Sequence, residues 1–428
     1  MTEGRSTRTL PEIQPNRDSE LRLHVDPAQD LRPGPDPAGP RGSNQSGMRA
    51  WNERLVLSLV RQHGALAKSD IARMTGLSAQ TVSVIMRGLE QDGLLLRGEP
   101  IRGKIGQPSV PMSLNADGAF FLGLKIGRRS ADLALVDFLG RVRGSRRRIY
   151  RYPTPDTITA FVAEALPQLL ACLPDGLRDR IGGMGVAMPF QLWSWVDFIG
   201  APQAEMDAWR HRDIASELSA LAGMPVHVQN DATAACGAEL VFGTGERPKD
   251  FLYFYFGYFI GGGLVLNGQL FTGQFGNAAG VGPMPVPGPD GRMRRLMTVA
   301  SLSVLAHAVE AAGGQSDQLW QSPDRWDLPE AVLDSWMTSA AEGLASAILS
   351  AATLLEMQAV LIDGWMPTSV RAEITRRTEA ALFRLDLSGI EPPAIREGTV
   401  GAEARALGAA AIPLSQRYLI DQNPTREG

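Results

Sequence analysis

The segment from Lys68 to Leu95, KSDIARMTGLSAQTVSVIMRGLEQDGLL, leaves its part of the chain few options. Its apolar residues recur at helical spacing on both sides of a single glycine, so it reads as helix, tight turn, helix. Ser69 is expected to cap the first helix, Ile71, Ala72 and Met74 to give it an apolar side, and Gly76 to end it in the left-handed conformation. Leu77 then plugs the turn and Ser78 caps the second helix. On that helix Val82, Ile85, Met86 and Leu89 share an inward face, leaving Gln80, Thr81, Ser83 and Arg87 outward. Ahead of the pair, Trp51 to Gln62 predicts an amphipathic helix with Trp51, Leu55 and Leu59 in one row, closed by Gly64.

A helix pair of this kind presents its second helix to the DNA major groove, where exposed polar side chains meet base edges. After Gly93 the chain turns extended, passes the basic, glycine-rich stretch IRGKIGQPS and returns as VPMSL, the pattern of a hairpin wing whose tip offers Arg102, Lys104 and Gln107 to phosphates or the minor groove. Ser78, Gln80, Thr81, Ser83, Arg87, Arg102, Lys104 and Gln107 are therefore the candidate DNA contacts. Residues 48–108 hold nine Lys or Arg against five Asp or Glu, a local charge of 9 − 5 = +4 in a chain whose net charge is −4. That asymmetry suits a polyanionic partner.

At 428 residues and 44% apolar content the chain is long enough for further domains. The first 47 residues, rich in Pro, Gly and charge, hold too few clustered apolar side chains to pack and are expected to be disordered. They lack the apolar core of a signal peptide. The long apolar stretch FLYFYFGYFIGGGLVLNG, Phe251 to Gly268, is broken by glycines and rich in aromatic and β-branched residues; it predicts two buried strands and a tight loop rather than a membrane span, and hence a soluble protein. Two distant cysteines, Cys172 and Cys236, encode neither a disulfide framework nor a thiolate metal site, which suits a reducing cytoplasm.

From Ala119 strands alternate with helices. FFLGLKIGRRSADLALVDFLGRV predicts two strands; Thr157 to Cys172 an Ala- and Leu-rich helix; IGGMGVAMP a strand; Asp213 to Ala222 a helix feeding the strand VHVQND. A second glycine-punctuated hairpin opens at Phe251, so the pattern suggests a duplicated α/β fold with a cleft between two lobes.

VQNDATAACGAE (Val228 to Glu239), the earlier GVAMP, the glycines at 261–263, and GVGPMPVPGPDGR followed by TVAS resemble the ROK family of repressors and sugar kinases. The resemblance runs from about residue 50 to the C-terminus, since many ROK regulators also begin with a winged helix-turn-helix. It implies an actin-like, ribonuclease-H-like duplicated fold that binds sugar and, in the kinases, ATP between its lobes. The implied boundaries are a winged module over 48–116 and a ROK domain over 117–421, with a first lobe of 117–232 plus a helix at 400–421 and a second lobe of 233–399.

Three departures from the family pattern bear on activity. Where ROK kinases carry an Asp-x-Gly-Gly-Thr phosphate loop, the matching positions are Lys125, Gly127, Arg128 and Arg129. A second phosphate loop of Gly-Thr-Gly type matches Gly257, Tyr258 and Phe259, placing rings where backbone amides should approach a nucleotide. The Glu-x-Gly-His motif, which supplies a sugar-binding carboxylate and a zinc histidine, matches Gly280, Val281, Gly282 and Pro283, and no cysteine follows, so neither zinc nor any other cofactor is expected. A further sugar-contacting glutamate corresponds to Met297, and Phe190 replaces the glycine after Pro189. Asn230 and Asp231 remain as ligand-binding candidates; the aspartate would be the general base of a kinase or a hydrogen-bond acceptor in a receptor, while the pair can equally cap the helix that follows.

Trp193, Trp195 and Trp209 are core residues or sugar-stacking platforms. The six arginines of GRVRGSRRRIYRY, Gly140 to Tyr152, are either a solvated edge strand or an extra phosphate contact. The reading that accommodates these features is a sugar-responsive transcriptional regulator, a repressor by family analogy, that binds operator DNA as a homodimer or larger assembly. Its competitors are an ATP-dependent sugar kinase with a fused DNA-binding module and a ligand-free dimerisation scaffold.

Overall fold

A computed structural model describes residues 45–101, 109–196, 200–246 and 248–420. The segment expected to be disordered therefore lies outside the described residues, apart from residues 45–47, which begin a helix.

The N-terminal module consists of α1 (Gln45–His63), β1 (Ala65–Leu66), α2 (Lys68–Thr75), α3 (Ala79–Gln91), β2 (Leu95–Arg97) and β3 (Met112–Leu114). The strands form one antiparallel sheet in the order β1-β3-β2. Gly76 ends α2 in the left-handed region (φ 71°), and the Ser78 side chain accepts a hydrogen bond from the Thr81 amide, as α3 requires at its N-terminus. Val82, Ile85, Met86 and Leu89 are buried as the periodicity predicts. The first helix of the pair differs from expectation. It starts at Lys68 behind Ala67, which makes no side-chain cap, so Ser69 lies inside the helix, and Met74 is exposed. On α1 the buried face is Val56, Leu57 and Val60, and Trp51 is exposed while Leu55 and Leu59 are half-buried. Leu55 to Leu57, Leu59 and Val60 form two adjacent apolar rows one residue apart, and periodicity alone does not say which row meets the core.

The hairpin beyond β2 continues through the Gly98–Pro111 backbone bond (2.8 Å) and the Ile101–Ser109 bridge. Arg102, Lys104 and Gln107 lie outside the described residues.

The rest of the chain is built twice on one plan. β4 (Phe120–Ile126), β5 (Ser130–Asp137) and β6 (Val142–Ile149) form an antiparallel meander. After α4 (Pro155–Leu170), β7 (Ile181–Met188) joins β4 in parallel. After α5 (Gln203–His211) and α6 (Ile214–Ala222), β8 (Val226–Asn230) extends the sheet, giving the order β6-β5-β4-β7-β8. α7 (Asp231–Phe242) leads to the second copy, where β9 (Phe251–Phe256), β10 (Ile260–Leu266) and β11 (Gln269–Phe271) repeat the meander. An insertion follows: β12 (Pro285–Pro287), β13 (Met293–Arg295), α8 (Met297–Ala300), α9 (Leu302–Ala311) and α10 (Gln318–Gln321). Then α11 (Glu330–Ala352), β14 (Ala359–Gly364), α12 (Thr368–Leu382) and β15 (Ala394–Glu397) complete the sheet β11-β10-β9-β14-β15, and α13 (Ala404–Tyr418) ends the fold. Both sheets thus run third, second, first, fourth, fifth, with the last two strands parallel to the first. Phe251 to Leu266 forms two buried strands, and among the described residues no helix is long and apolar enough to cross a membrane.

Helices α7 and α13 join the lobes. α13 lies on the first sheet, α7 lies on β10 of the second, and the two helices pack on each other. Small residues allow this: a side chain at Gly408 would overlap the Ala234 carbonyl oxygen, and one at Gly263 would overlap the Cys236 side chain.

The winged module is not an appendage on a tether. Its core residues Val56, Leu57, Val60 and Ile71 belong to one cluster with Phe121 and Val136 of the first sheet, Phe138 in the turn after β5, and Ala410 and Leu414 of α13. Arg61 of α1 donates to the Phe138 carbonyl (2.6 Å), and its guanidinium lies over the Phe138 and Phe242 rings at 5.0 and 5.8 Å. The arginine run forms edge strand β6, where Arg143 pairs with Asp117 and Asp137, Arg147 with Asp132, and Arg148 with Glu164. Charge on an edge strand discourages pairing with another chain.

Candidate functional site

Two surfaces carry chemistry. The first is the outward row of α3, where Gln80 and Arg87 are exposed, and Val84, which the sequence reading passed over, is 56% exposed between them. Val84 follows Gln80 by four residues and precedes Arg87 by three, so the three side chains share one stripe. Thr81 and Ser83 are half-buried: the Thr81 hydroxyl pairs with that of Ser78 (2.8 Å), and Ser83 Oγ accepts from Lys68 Nζ (3.2 Å). Two bonds from Arg97 to Glu90 (3.1 and 2.9 Å) fasten the base of the wing to α3. Free donors and a thymine-sized apolar patch flanked by fixed hydroxyls are the ingredients of a major-groove reader.

The second is a cleft of about 1230 Å³ between the lobes. It gathers what the family pattern pointed to separately: Lys125, Gly127, Arg128, Arg129, Phe190, Asn230, Asp231, Tyr258, Phe259, the 280–283 run and Met297 line it, Val281 excepted. Asn230 caps α7, its side-chain oxygen accepting from the Ala232 and Thr233 amides at 3.0 and 3.2 Å. Asp231, the first residue of the helix, receives a hydrogen bond from Arg405 of α13 at 3.2 Å. Capping thus occupies the asparagine, and an ion pair occupies one oxygen of the aspartate.

Lys125 is the residue that the family resemblance matches to a kinase's acid. Its ammonium donates to Ser130 Oγ (3.0 Å) and Asp132 (2.8 Å); burial, and then the nearby Arg405 charge, lower it to about 8. The Arg128 guanidinium, from the β4–β5 turn of the first lobe, lies over the Phe259 ring at 3.7 Å and the Tyr258 ring at 4.4 Å, both in the β9–β10 turn of the second. Burial lowers it to about 9, against the pull of Tyr258 and Asp231. Tyr258 also stacks on Trp320 at 5.3 Å. The two turns that the resemblance matches to phosphate loops are therefore joined by a cation stacked on rings. The residues do not fit a zinc ion either: the 280–283 run carries no side-chain donor, and among the described residues no three His, Cys, Asp or Glu come together.

Of the tryptophans singled out, Trp209 is a core residue bonded to the Pro153 carbonyl (3.0 Å), Trp193 lies under Arg210, and the side chain of Trp195 is outside the described residues. Trp320 and Trp365 line the cleft instead, together with Arg147, Arg295 and Arg405. Arg405 had a signal in the sequence, a lone cation in the alanine-rich run AEARALGAAA; the tryptophans had none, because their approach depends on how α10 and the segment after β14, distant in the chain, come together at the cleft.

Comparison with known proteins agrees with this architecture. The model of the ROK family matches residues 121–415, and that of a winged helix-turn-helix DNA-binding domain matches residues 52–95. An uncharacterised protein of Sinorhizobium fredii is 23% identical over 86% of this chain and 91% of its own length. The xylose repressor of Bacillus subtilis is 21% identical over 57% of this chain and 62% of its own, and a transcriptional regulator of Mycobacterium tuberculosis 27% identical over 59% and 58%. This chain thus spans less than two thirds of the length of those two regulators. Among solved structures, a ROK family transcriptional regulator described as a homologue of the Escherichia coli MLC protein superposes with a TM-score of 0.61 at 20% identity, covering 87% of this chain and 97% of that one. A ROK glucokinase of Streptomyces griseus, solved with glucose and AMPPNP, reaches 0.50 at 21% identity over 68% of this chain and 98% of its own. At such identities the likeness to solved structures is one of fold. The family match over more than half of the chain, with the duplicated sheets and the winged module in front of them, makes this protein a member of the ROK family.

Proposed function

We propose that this protein is a DNA-binding transcriptional regulator, a repressor by analogy with its relatives, whose winged module reads operator DNA as a homodimer or larger assembly and whose cleft takes a sugar or sugar derivative. The observation that carries the reading is the stripe Gln80, Val84, Arg87, held outward by a capped helix on a module with excess positive charge. Ser78, Thr81 and Ser83 flank it, and Arg102, Lys104 and Gln107 of the basic, glycine-rich stretch are the further DNA contacts of this reading. One short helix contacts few base pairs, so two copies a helical turn apart are needed for an adequately specific site. Asp231, with Asn230 holding the helix that presents it, is the acceptor for the cleft ligand.

The kinase reading is disfavoured by Arg128 on Tyr258 and Phe259 and by Lys125 in place of the acid, since phosphoryl transfer depends on phosphate cradles and metal. Fluorescence anisotropy against the chain's own upstream DNA tests the regulator: sequence-selective binding at physiological salt is expected, and equal affinity for unrelated DNA rejects it. A coupled ADP-release assay with hexoses is expected to show no turnover; turnover abolished by Asp231→Asn would restore the kinase.

A further inference from the structure

The walls of the cleft are rich in one kind of hydrogen-bonding group. Six cations, Lys125, Arg128, Arg129, Arg147, Arg295 and Arg405, face it against two carboxylates, Asp231 and Asp317. Counting Asp132 and Glu403 behind the wall gives six cations to four carboxylates. Lysine and arginine donate and never accept. A neutral sugar brings hydroxyls that need acceptors as much as donors, and here one Asp231 oxygen is already paired with Arg405. A group that only accepts, with several lone pairs and a negative charge, answers this wall better.

The cations also have capacity to spare. Lys125 and Arg147 share the single carboxylate of Asp132, at 2.8 and 3.3 Å. Arg405 Nε is buried and makes no hydrogen bond among the described residues. Arg129, on the first lobe, and Arg295, on the second, have no ion-pair partner among the described residues. Charged donors beyond those used in these pairings can be taken up by a bound oxyanion. Trp320, Trp365 and Phe190 add aromatic surface to the same cavity, which suits the apolar faces of a carbohydrate ring.

We propose that the ligand of this cleft is an anionic carbohydrate derivative, its carboxylate or phosphate held among Arg129, Arg405 and Arg295 from both lobes. The inference rests on the regulator reading for the cleft being a receptor, and it replaces an unspecified sugar by a charged one. It agrees with the departures from the family's sugar-binding pattern, in which Gly280 and Met297 stand where the resemblance places the carboxylates that would meet hydroxyls.

The test is a thermal-shift series on the full chain with matched triplets of aldopentoses and aldohexoses: the neutral sugar, its uronate and its terminal phosphate, with inorganic phosphate as a further arm. A ligand that binds only the folded protein must raise Tm. At least one uronate or phosphate is expected to raise Tm by several degrees where its parent does not, and whichever arm does so identifies the oxyanion. Arg129→Ser with Arg295→Ser, two changes at partnerless side chains, is expected to weaken that ligand about tenfold or more by calorimetry. A neutral sugar matching or exceeding its charged relatives, no shift from any charged compound, or a shift indifferent to the double substitution would each overturn the proposal, and a shift from inorganic phosphate alone, equal to that of every derivative, would remove the carbohydrate from it. Operator anisotropy run in parallel keeps the two failures apart: intact operator selectivity with no preference for anions removes this inference only, whereas loss of selectivity rejects the regulator itself.

Discussion

Burial holds Lys125 at about 8, and the Arg405 guanidinium pushes in the same direction, so this side chain titrates near physiological pH. Its folded value lies below the 10.5 of an ordinary lysine; between those two values the unfolded chain binds the proton more tightly, and the contribution of Lys125 to stability grows as pH rises through that window. Anion binding has the opposite sign. The Tm rise produced by an anionic ligand is expected to shrink between pH 7 and pH 9, and Lys125→Met, which leaves Asp132 to Arg147, is expected to make that rise smaller and flatter with pH. At Ser78 the expectation is simpler. Ser78→Ala removes the acceptor of the Thr81 amide at a cost of about 1 kcal/mol, so hydrogen exchange at Thr81 should quicken about fivefold while the core of α3 keeps its protection. Ser78 was legible in the sequence because a glycine two residues earlier fixes where α3 begins. Ser69 was misread for want of such a marker, and Val84 was passed over because a valine on a polar stripe reads as a spare core residue until its exposure is known.

Among the elements, α7 was legible as an alanine-rich helix and α13 through the family resemblance, but their crossing was not, since it depends on absent side chains at positions 170 or so residues apart in the chain. Gly408→Ala would drive a methyl group into the Ala234 carbonyl, and we expect it to destabilise the protein by about 1–3 kcal/mol in urea unfolding. Gly88→Ala, whose nearest neighbour would be an Arg49 guanidinium nitrogen at 3.7 Å, is the control and should unfold at the same denaturant concentration or a higher one. The glycine-punctuated hairpins at Phe120 and Phe251 announced strands correctly, and the strand orders reveal the repeat that their weak sequence likeness only suggested. Of the two alternatives open for Trp193, Trp195 and Trp209, the core reading holds for Trp209; residue type was informative, but position in space was not, and Trp320 and Trp365 are the tryptophans at the cleft.

For the molecule as a whole, the winged module was legible as a stretch of chain over 48–116, but not the way its core continues into the next domain. Val56, Val60 and Ile71 share a core with Phe121, Phe138 and Leu414, and the Ile420 amide donates to Ser58 (3.1 Å). A fragment of residues 45–116 should accordingly melt well below the full chain by circular dichroism and bind operator more weakly. The ligand cleft and the DNA-reading module also hold opposite ends of one helix: Asp231 begins α7 at the cleft and Phe242 ends it beneath Arg61 of α1. We expect Phe242→Ala to leave operator affinity within a few fold while removing most of its response to the cleft ligand, measured as the change in anisotropy midpoint. Helix α7 packs along α13, and where Ala234 meets Gly408, close to one end, the two backbones come near enough to act as a pivot. At 1.5 Å per residue the arm towards the cleft is about 4.5 Å and the arm towards Arg61 about 12 Å. Tilted about that fulcrum as a stiff beam, α7 moves its far tip between two and three times as far as its near one, so a nudge at the mouth arrives enlarged at the seat of the reading head.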